Sequence, residues 1–240
     1  MSLFGTRTNV DELEPAPPGE GREVPIRSEE LVMVQDPHST VAEQFRRLRN
    51  SIQALNPDGA ARSVLLTSAV EGEGKSVASL NLGLAMAELP HLRVLVVDGD
   101  FRNPSVERYV GLPRRLGFSD LLSGRLTMDQ AIRSTSVERF DVMGAGRRPD
   151  NPAEVLNVDR VRAVLNALKR RYDFVLIDSP SVLAVNHPSV FGAIVDGIVL
   201  VLRLGKTPKQ LVEEAYSMLE SMGGNVLGTC VTGVDAEPSA

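Results

Sequence analysis

Six apolar runs, at 63–68, 93–98, 139–143, 173–178, 197–203 and 225–231, punctuate this chain. Arg93-Val-Leu-Val-Val-Asp98 and Tyr172-Asp-Phe-Val-Leu-Ile-Asp178 carry unbroken apolar stretches rather than an apolar–polar alternation. Strands of that kind are buried on both faces, as in a parallel sheet covered by crossover helices. Helical segments are expected between most of them, at 75–88, 158–171, 187–195 and 208–222, with shorter ones near 118–123 and 128–133. The pattern predicts an α/β fold, a parallel sheet with helices on both faces. At 240 residues, with no internal repeat, the chain is read as a single domain over 29–240.

The start of the chain has another character. Residues 1–28 hold Pro15, Pro17, Pro18 and Pro25, several acids and few apolar side chains, so a flexible acidic tail is expected. A helix over 40–55 follows. Thr40 and Glu43 read as its capping box, and Val41, Phe45, Leu48, Ile52 and Leu55 recur on one face. Asn151-Pro-Ala-Glu154 and Thr207-Pro-Lys-Gln210 read as further capping boxes with Pro at the first helical position.

Charge and cysteine usage narrow the function. Residues 1–30 carry seven acids and three arginines, which accounts for nearly all of the net charge of −5. The near-neutral remainder argues against bulk nucleic-acid binding, which depends on neutralising phosphates. The single cysteine, Cys230, points to a reducing compartment. No stretch reaches the roughly 18 consecutive apolar residues of a membrane span. A cytoplasmic location is therefore expected.

Between the first strand and its helix stands Ala69-Val-Glu-Gly-Glu-Gly-Lys-Ser76. The spacing fits a phosphate-binding loop, with Ala in place of the first Gly. Gly72 and Gly74 can take positive φ, so that the N–H groups of residues such as Glu73, Gly74 and Val77 converge on an anion. Lys75 would reach the β- and γ-phosphates, and the Ser76 hydroxyl would face Mg²⁺. Two strands then end in carboxylates: Asp98-Gly-Asp100-Phe-Arg102-Asn-Pro104, and Asp178-Ser-Pro180. The carboxyl ends of parallel strands line the ligand crevice, so Asp98, Asp100 and Asp178 are expected near the loop. Arg203, at the end of the 197–203 strand, could reach the same pocket or be a solvated strand end.

Together these motifs resemble the bacterial tyrosine kinases of capsule and exopolysaccharide assembly, relatives of the MinD and ParA ATPases. Gly117-Phe-Ser-Asp-Leu-Leu-Ser-Gly124, Gly146-Arg-Arg-Pro-Asp-Asn-Pro-Ala-Glu-Val-Leu156 and Val226-Leu-Gly228 are similar to segments of that family, and the match spans residues 36–234. The resemblance implies ATP and Mg²⁺ as cofactors and a protein tyrosine as substrate. It implies Asp98 as general base, Asp100 as a water-mediated Mg²⁺ contact, and Ser76, Asp98 and Asp178 as metal-site residues. It also implies that Glu43, Arg46 and Arg49 make subunit contacts in a homo-oligomeric ring, where the residues alone allow an internal ion pair equally well. A separate membrane polysaccharide co-polymerase, acting as adaptor through a cytoplasmic activating segment, would recruit the chain to the inner membrane face.

The chain departs from the family pattern in three places. It ends without a tyrosine cluster, having only Tyr109, Tyr172 and Tyr216; His187 stands where Asp is usual; and Thr232 stands where Asn is usual near the nucleotide base. Two other functions follow from the same fold: a nucleotide-gated switch without tail autophosphorylation, and a positioning ATPase of the MinD or ParA kind. The latter usually carries a second lysine early in the loop, which Val70 and Glu71 do not supply.

Overall fold

The computed structural model describes residues 13–60, 62–184 and 187–233. Along the chain come α1 (Val32–Gln35), α2 (Thr40–Ala54), β1 (Arg62–Ser68), α3 (Lys75–Ala87), β2 (Val94–Asp98), α4 (Val106–Tyr109), α5 (Phe118–Leu122), α6 (Met128–Ala131), β3 (Arg133–Ser134), β4 (Phe140–Met143), α7 (Pro152–Val155), α8 (Val158–Lys169), β5 (Phe174–Asp178), α9 (His187–Gly192), β6 (Gly197–Arg203), α10 (Lys209–Ser221) and β7 (Val226–Thr232). The strands form one sheet in the order β3-β4-β2-β5-β1-β6-β7. Every pairing is parallel except β3 with β4.

Alternate residues of each central strand serve opposite faces. Leu65, Val97, Ile177 and Leu200 pack with Leu165 and Leu168 of α8, Phe191 of α9 and Leu219 of α10. Their neighbours Leu66, Val96, Leu176 and Val201 pack with Leu80 and Leu84 of α3, Ile52 of α2 and Val106 of α4. This two-sided burial is why the strands lack alternation; each fully buried Leu or Ile stabilises the fold by about 1.5–3 kcal/mol. Helix α3 lies close on the sheet because Gly83 has no side chain: a Cβ there would sit 2.7 Å from Phe140 and 2.9 Å from Val96.

Four expectations need correction. Residues 1–12 of the expected flexible tail lie outside the described residues, but residues 13–28 are packed. Leu13 is buried on one face of the sheet, Ile26 on the other, and between them Gly21 runs against Ser134 at the β3 edge. A few buried anchors and a paired glutamate suffice where mean composition suggested too little apolar surface. The N-cap of α2 is Ser39, whose hydroxyl accepts the Ala42 N–H at 3.2 Å, while Glu43 turns to Arg46. The helix expected over 128–133 stops at Ala131, and Arg133 instead enters a two-residue strand, its side chain buried among glutamates. Thr207 caps no helix; its hydroxyl hydrogen-bonds Glu73 in the phosphate-binding loop.

Candidate active site

The turn from β1 into α3 takes the loop shape through its glycines. Gly72 has φ +79°, and Gly74, at the N-cap of α3, has φ +86°, values that other residues rarely adopt. The turn points the N-terminus of a 13-residue helix at the crevice, with Lys75, Ser76 and Val77 half-buried in its first turn. Glu73 braces the loop rather than facing outward. It is 1% exposed; its carboxylate accepts the Val70 N–H and the Thr207 hydroxyl, and its carbonyl accepts the Thr232 hydroxyl at 2.7 Å. Arg203 donates from Nη1 to the Gly72 carbonyl at 3.4 Å, so this strand-end arginine does lie on the loop. Thr207 and Thr232 are site residues that sequence reasoning missed in this role. Thr207 looked like a helix cap, and no motif marks a threonine that meets the loop from a strand 159 residues away in the chain.

The strand-end carboxylates meet by register. Parallel pairing of β2 with β5 places Asp98 opposite Asp178. Between them and the next turn, Gly99 donates its N–H to the Asp178 carbonyl at 2.7 Å, and a Cβ on Gly99 would sit 3.0 Å from that oxygen. Asp98 is fully buried. Its Oδ1 accepts the Asp100 N–H at 3.0 Å, and its Oδ2 accepts the N–H groups of Ser105 at 2.8 Å and Val106 at 3.0 Å. Asp100 is half-buried and caps the following turn, accepting the Arg102 and Asn103 N–H groups on Oδ1.

Burial pushes the Asp98 carboxyl up, against the pull of its three backbone donors. Asp178 lies well above the usual carboxylate range, first through burial and then through the charge of Asp98; the Ser76 hydroxyl and the Lys75 ammonium oppose this. The structure therefore brings Lys75, Ser76, Asp98, Asp100 and Asp178 into one electrostatic neighbourhood. Asp178 Oδ1 is buried without a hydrogen-bond partner among the described residues. An orphaned carboxylate oxygen, a hydroxyl beside it and a second repelled carboxylate fit a divalent cation, which reverses the cost of burying such charges. No group of three or more His, Cys, Asp or Glu could hold a metal among the described residues. Mg²⁺ usually takes one or two carboxylates plus substrate phosphates.

Comparison with known proteins gives the family and the fold. A family model described as ATPase MipZ matches residues 62–197, from β1 to the start of β6. CapB of Staphylococcus aureus, assigned as a tyrosine-protein kinase, is 35% identical over 82% of this chain and 86% of its own. Tyrosine-protein kinase YwqD of Bacillus subtilis is 32% identical over 85% of each chain. This chain belongs to the bacterial tyrosine-kinase family. Solved members of that family share its fold: the kinase domain of Escherichia coli ETK superposes with TM-score 0.83 at 28% identity, covering 94% of this chain and 88% of that one. The chimerical protein CapA2B2 gives 0.81 at 31% identity, covering 88% and 93%. The fold itself is shared more widely, as in the septum site-determining protein MinD of Pyrococcus horikoshii, complexed with Mg-ADP. That protein superposes at TM-score 0.59 and 23% identity, over 70% of this chain and 69% of that one. Nucleotide binding follows from membership of this group of P-loop ATPases and kinases.

The expected subunit-contact motif is occupied within the chain. Arg46 pairs with Glu43 and, at 2.6 Å, with Glu88 at the end of α3; Arg49 donates to the Ala85 carbonyl at 2.8 Å and pairs with Glu88 at 3.2 Å. These contacts dock α2 on α3. On the other side of α2, Val41, Phe45 and Leu48 line an apolar groove of about 860 Å³ shared with Val77, Cys230 and Val231. Among the described residues no helix is long and apolar enough to cross a membrane.

Proposed function

We propose that this chain is an ATP- and Mg²⁺-dependent protein tyrosine kinase of capsule or exopolysaccharide assembly. The observation that carries the reading is the pairing of Asp98 with Asp178 beside the Lys75–Ser76 loop. Phosphoryl transfer needs little covalent help from a protein; it needs positioning and charge neutralisation. Bound Mg²⁺ would supply charge neutralisation for the phosphates in this reading. Backbone N–H groups of Gly72, Glu73, Gly74 and Val77 would cradle the phosphates, with Lys75 on the γ-group. Ser76 and Asp178 would hold the metal directly, with Asp98 beside it and Asp100 through water. Asp98 would also accept the proton of the substrate tyrosine, with one carboxylate lone pair free of its three backbone donors.

The names of the relatives support the setting. One relative is named for a cps region, others are named CapB and EpsB, and the chimerical CapA2B2 joins a second component to a CapB-like one in its name. We place the chain in the cytoplasm, recruited to the inner membrane face by a polysaccharide co-polymerase acting as adaptor through a cytoplasmic segment. A homo-oligomer would use the exposed face of α2, where Val41 is 37% exposed, with Glu43, Arg46 and Arg49 setting the helix's position.

A second reading, a nucleotide-gated switch, draws support from the tyrosines. Tyr172 is 4% exposed and donates its hydroxyl to Asp141 at 2.7 Å, and Tyr216 lies mid-helix bonded to Glu220. The deciding experiment incubates the protein with labelled ATP and Mg²⁺, alone and with an adaptor's cytoplasmic segment, and maps phosphotyrosine on every chain. Transfer that Lys75→Met and Asp98→Asn abolish supports the kinase; nucleotide binding without transfer supports the switch; transfer that survives both substitutions refutes the site.

A further inference from the structure

Two of the three backbone donors to Asp98 come from the start of α4, a four-residue helix with little hold of its own. What anchors α4 is therefore what keeps Asp98 in place. The next residue after those donors, Glu107, is 3% exposed. Its carboxylate lies on the backbone at the end of β4, where a Cβ on Gly144 would fall 2.3 Å from the Glu107 carboxyl carbon. Glu107 Oε1 accepts the Arg115 N–H at 3.1 Å and Nη1 of Arg133 at 2.6 Å. Arg133 is itself buried on β3, donates to the Pro113 carbonyl at 2.6 Å, and pairs through Nη2 with Glu20. Glu20 also takes Nη2 of Arg115 at 2.8 Å. Gly21, beside it, is pressed on the Ser134 carbonyl, which a Cβ would approach to 1.9 Å.

A set of charged contacts thus runs from the N-terminal segment through the sheet edge to Glu107 on α4, whose neighbouring backbone N–H groups hold the carboxylate in the crevice. Sequence reading assigned none of its members a role, and the arginine was expected at the end of a short helix. We propose that Glu107 and Arg133 are positioning residues for Asp98, and that Glu20 anchors the same strut from the N-terminal segment. Arg133 holds Glu107, Glu107 holds the first turn of α4, and the Ser105 and Val106 N–H groups then fix the Asp98 carboxylate. The inference deepens the kinase reading, on which its catalytic consequence rests. Loosening the strut lets Asp98 leave the orientation in which its free lone pair faces a tyrosine hydroxyl, without touching the phosphate loop.

The test has one readout independent of catalysis. Amide hydrogen exchange at Ser105 and Val106 is measured in the full chain for wild type, Glu107→Gln, Arg133→Met, Arg133→Lys and Glu20→Gln. Exchange is expected to rise about tenfold in Glu107→Gln and Arg133→Met, less in Glu20→Gln, and to recover in part in Arg133→Lys, while Leu65 and Leu66 in β1 stay protected. Unchanged exchange at Ser105 and Val106, or a rise shared by β1, overturns the strut. Glu20→Gln, at the rim of the network, serves if Arg133→Met does not fold. In the phosphotransfer assay Glu107→Gln is expected to lower kcat about tenfold with KM for ATP within about twofold. A raised exchange rate with unchanged kcat overturns the positioning role. A wild type that transfers nothing removes the kinase reading, and the exchange data still decide whether the strut exists.

Discussion

Replacing Asp178 by asparagine separates stability from function, because the structure predicts opposite signs for the two. Asp98 and Asp178 are register partners on neighbouring parallel strands, about 4.8 Å apart in backbone, with both side chains buried. Two unit charges about 6 Å apart at an effective dielectric of about 20 repel by about 3 kcal/mol. Proton uptake by the pair caps that cost, leaving about 1–3 kcal/mol in metal-free protein near pH 8. The sign follows from both folded pKa values being raised. Between the ordinary carboxylate pKa and the raised one, the native state holds more protons than the unfolded chain, so stability falls as pH rises through that window. The Asp178→Asn side chain carries no charge and escapes the fall. In chelator at pH 8 the variant's Tm should exceed that of wild type by about 3–8 °C, and the difference should vanish near pH 4. The Tm gain that Mg²⁺ and ADP confer on wild type should be lost in the variant. Calorimetry across pH, with and without Mg-ADP, measures both. A variant less stable than wild type at pH 8, or one that keeps the full Mg-ADP gain, refutes the picture of a repelled pair awaiting a cation.

Other expectations are simpler. Lys75→Met should lower phosphoryl transfer by about a hundredfold or more, with Tm within about 2 °C of wild type, since the side chain is half-buried at a helix start; enzyme assay and melting check this together. Gly83→Ala should cost about 1–3 kcal/mol by forcing α3 off Phe140 and Val96, measured by urea unfolding. Asp196→Asn should cost about 1–2 kcal/mol at pH 7. Burial raises the Asp196 carboxyl, but the Ser63 N–H and hydroxyl and Lys169 outweigh it and hold it below its ordinary value. Its contribution is therefore present above the unfolded carboxylate pKa and disappears as pH falls through the lower folded one, so the two proteins should converge in acid melts.

The parts of this molecule legible in its sequence are those governed by local pattern. Unbroken apolar runs announced the central strands, and glycine spacing with Lys75 and Ser76 announced the loop, because burial on two faces and positive φ each demand particular residue types at fixed offsets. Strand-end aspartates could be placed in the crevice because all parallel strands end on one side. What escaped was long-range and single-residue in origin. Glu20, Glu107 and Arg133 come from segments without periodicity, and their meeting depends on how the N-terminal segment crosses the β3 edge. Thr207 looks like an ordinary cap, and Thr232 stands out only as a departure near the nucleotide base, until the sheet brings both to Glu73. The tail was misjudged for a related reason: averages over 28 residues hide Leu13 and Ile26, each almost wholly buried.

The in-register pairing of β2 and β5 has a consequence for how this protein can change. Side chains alternate across a strand, so a slip of one residue would turn Val97 and Ile177 toward the wrong layer as surely as it would part the two acids. Core and chemistry are thus written on the same ladder. The backbone gap between Asp98 and Asp178 is a dimension of the sheet itself, and no substitution that keeps the register can retune it.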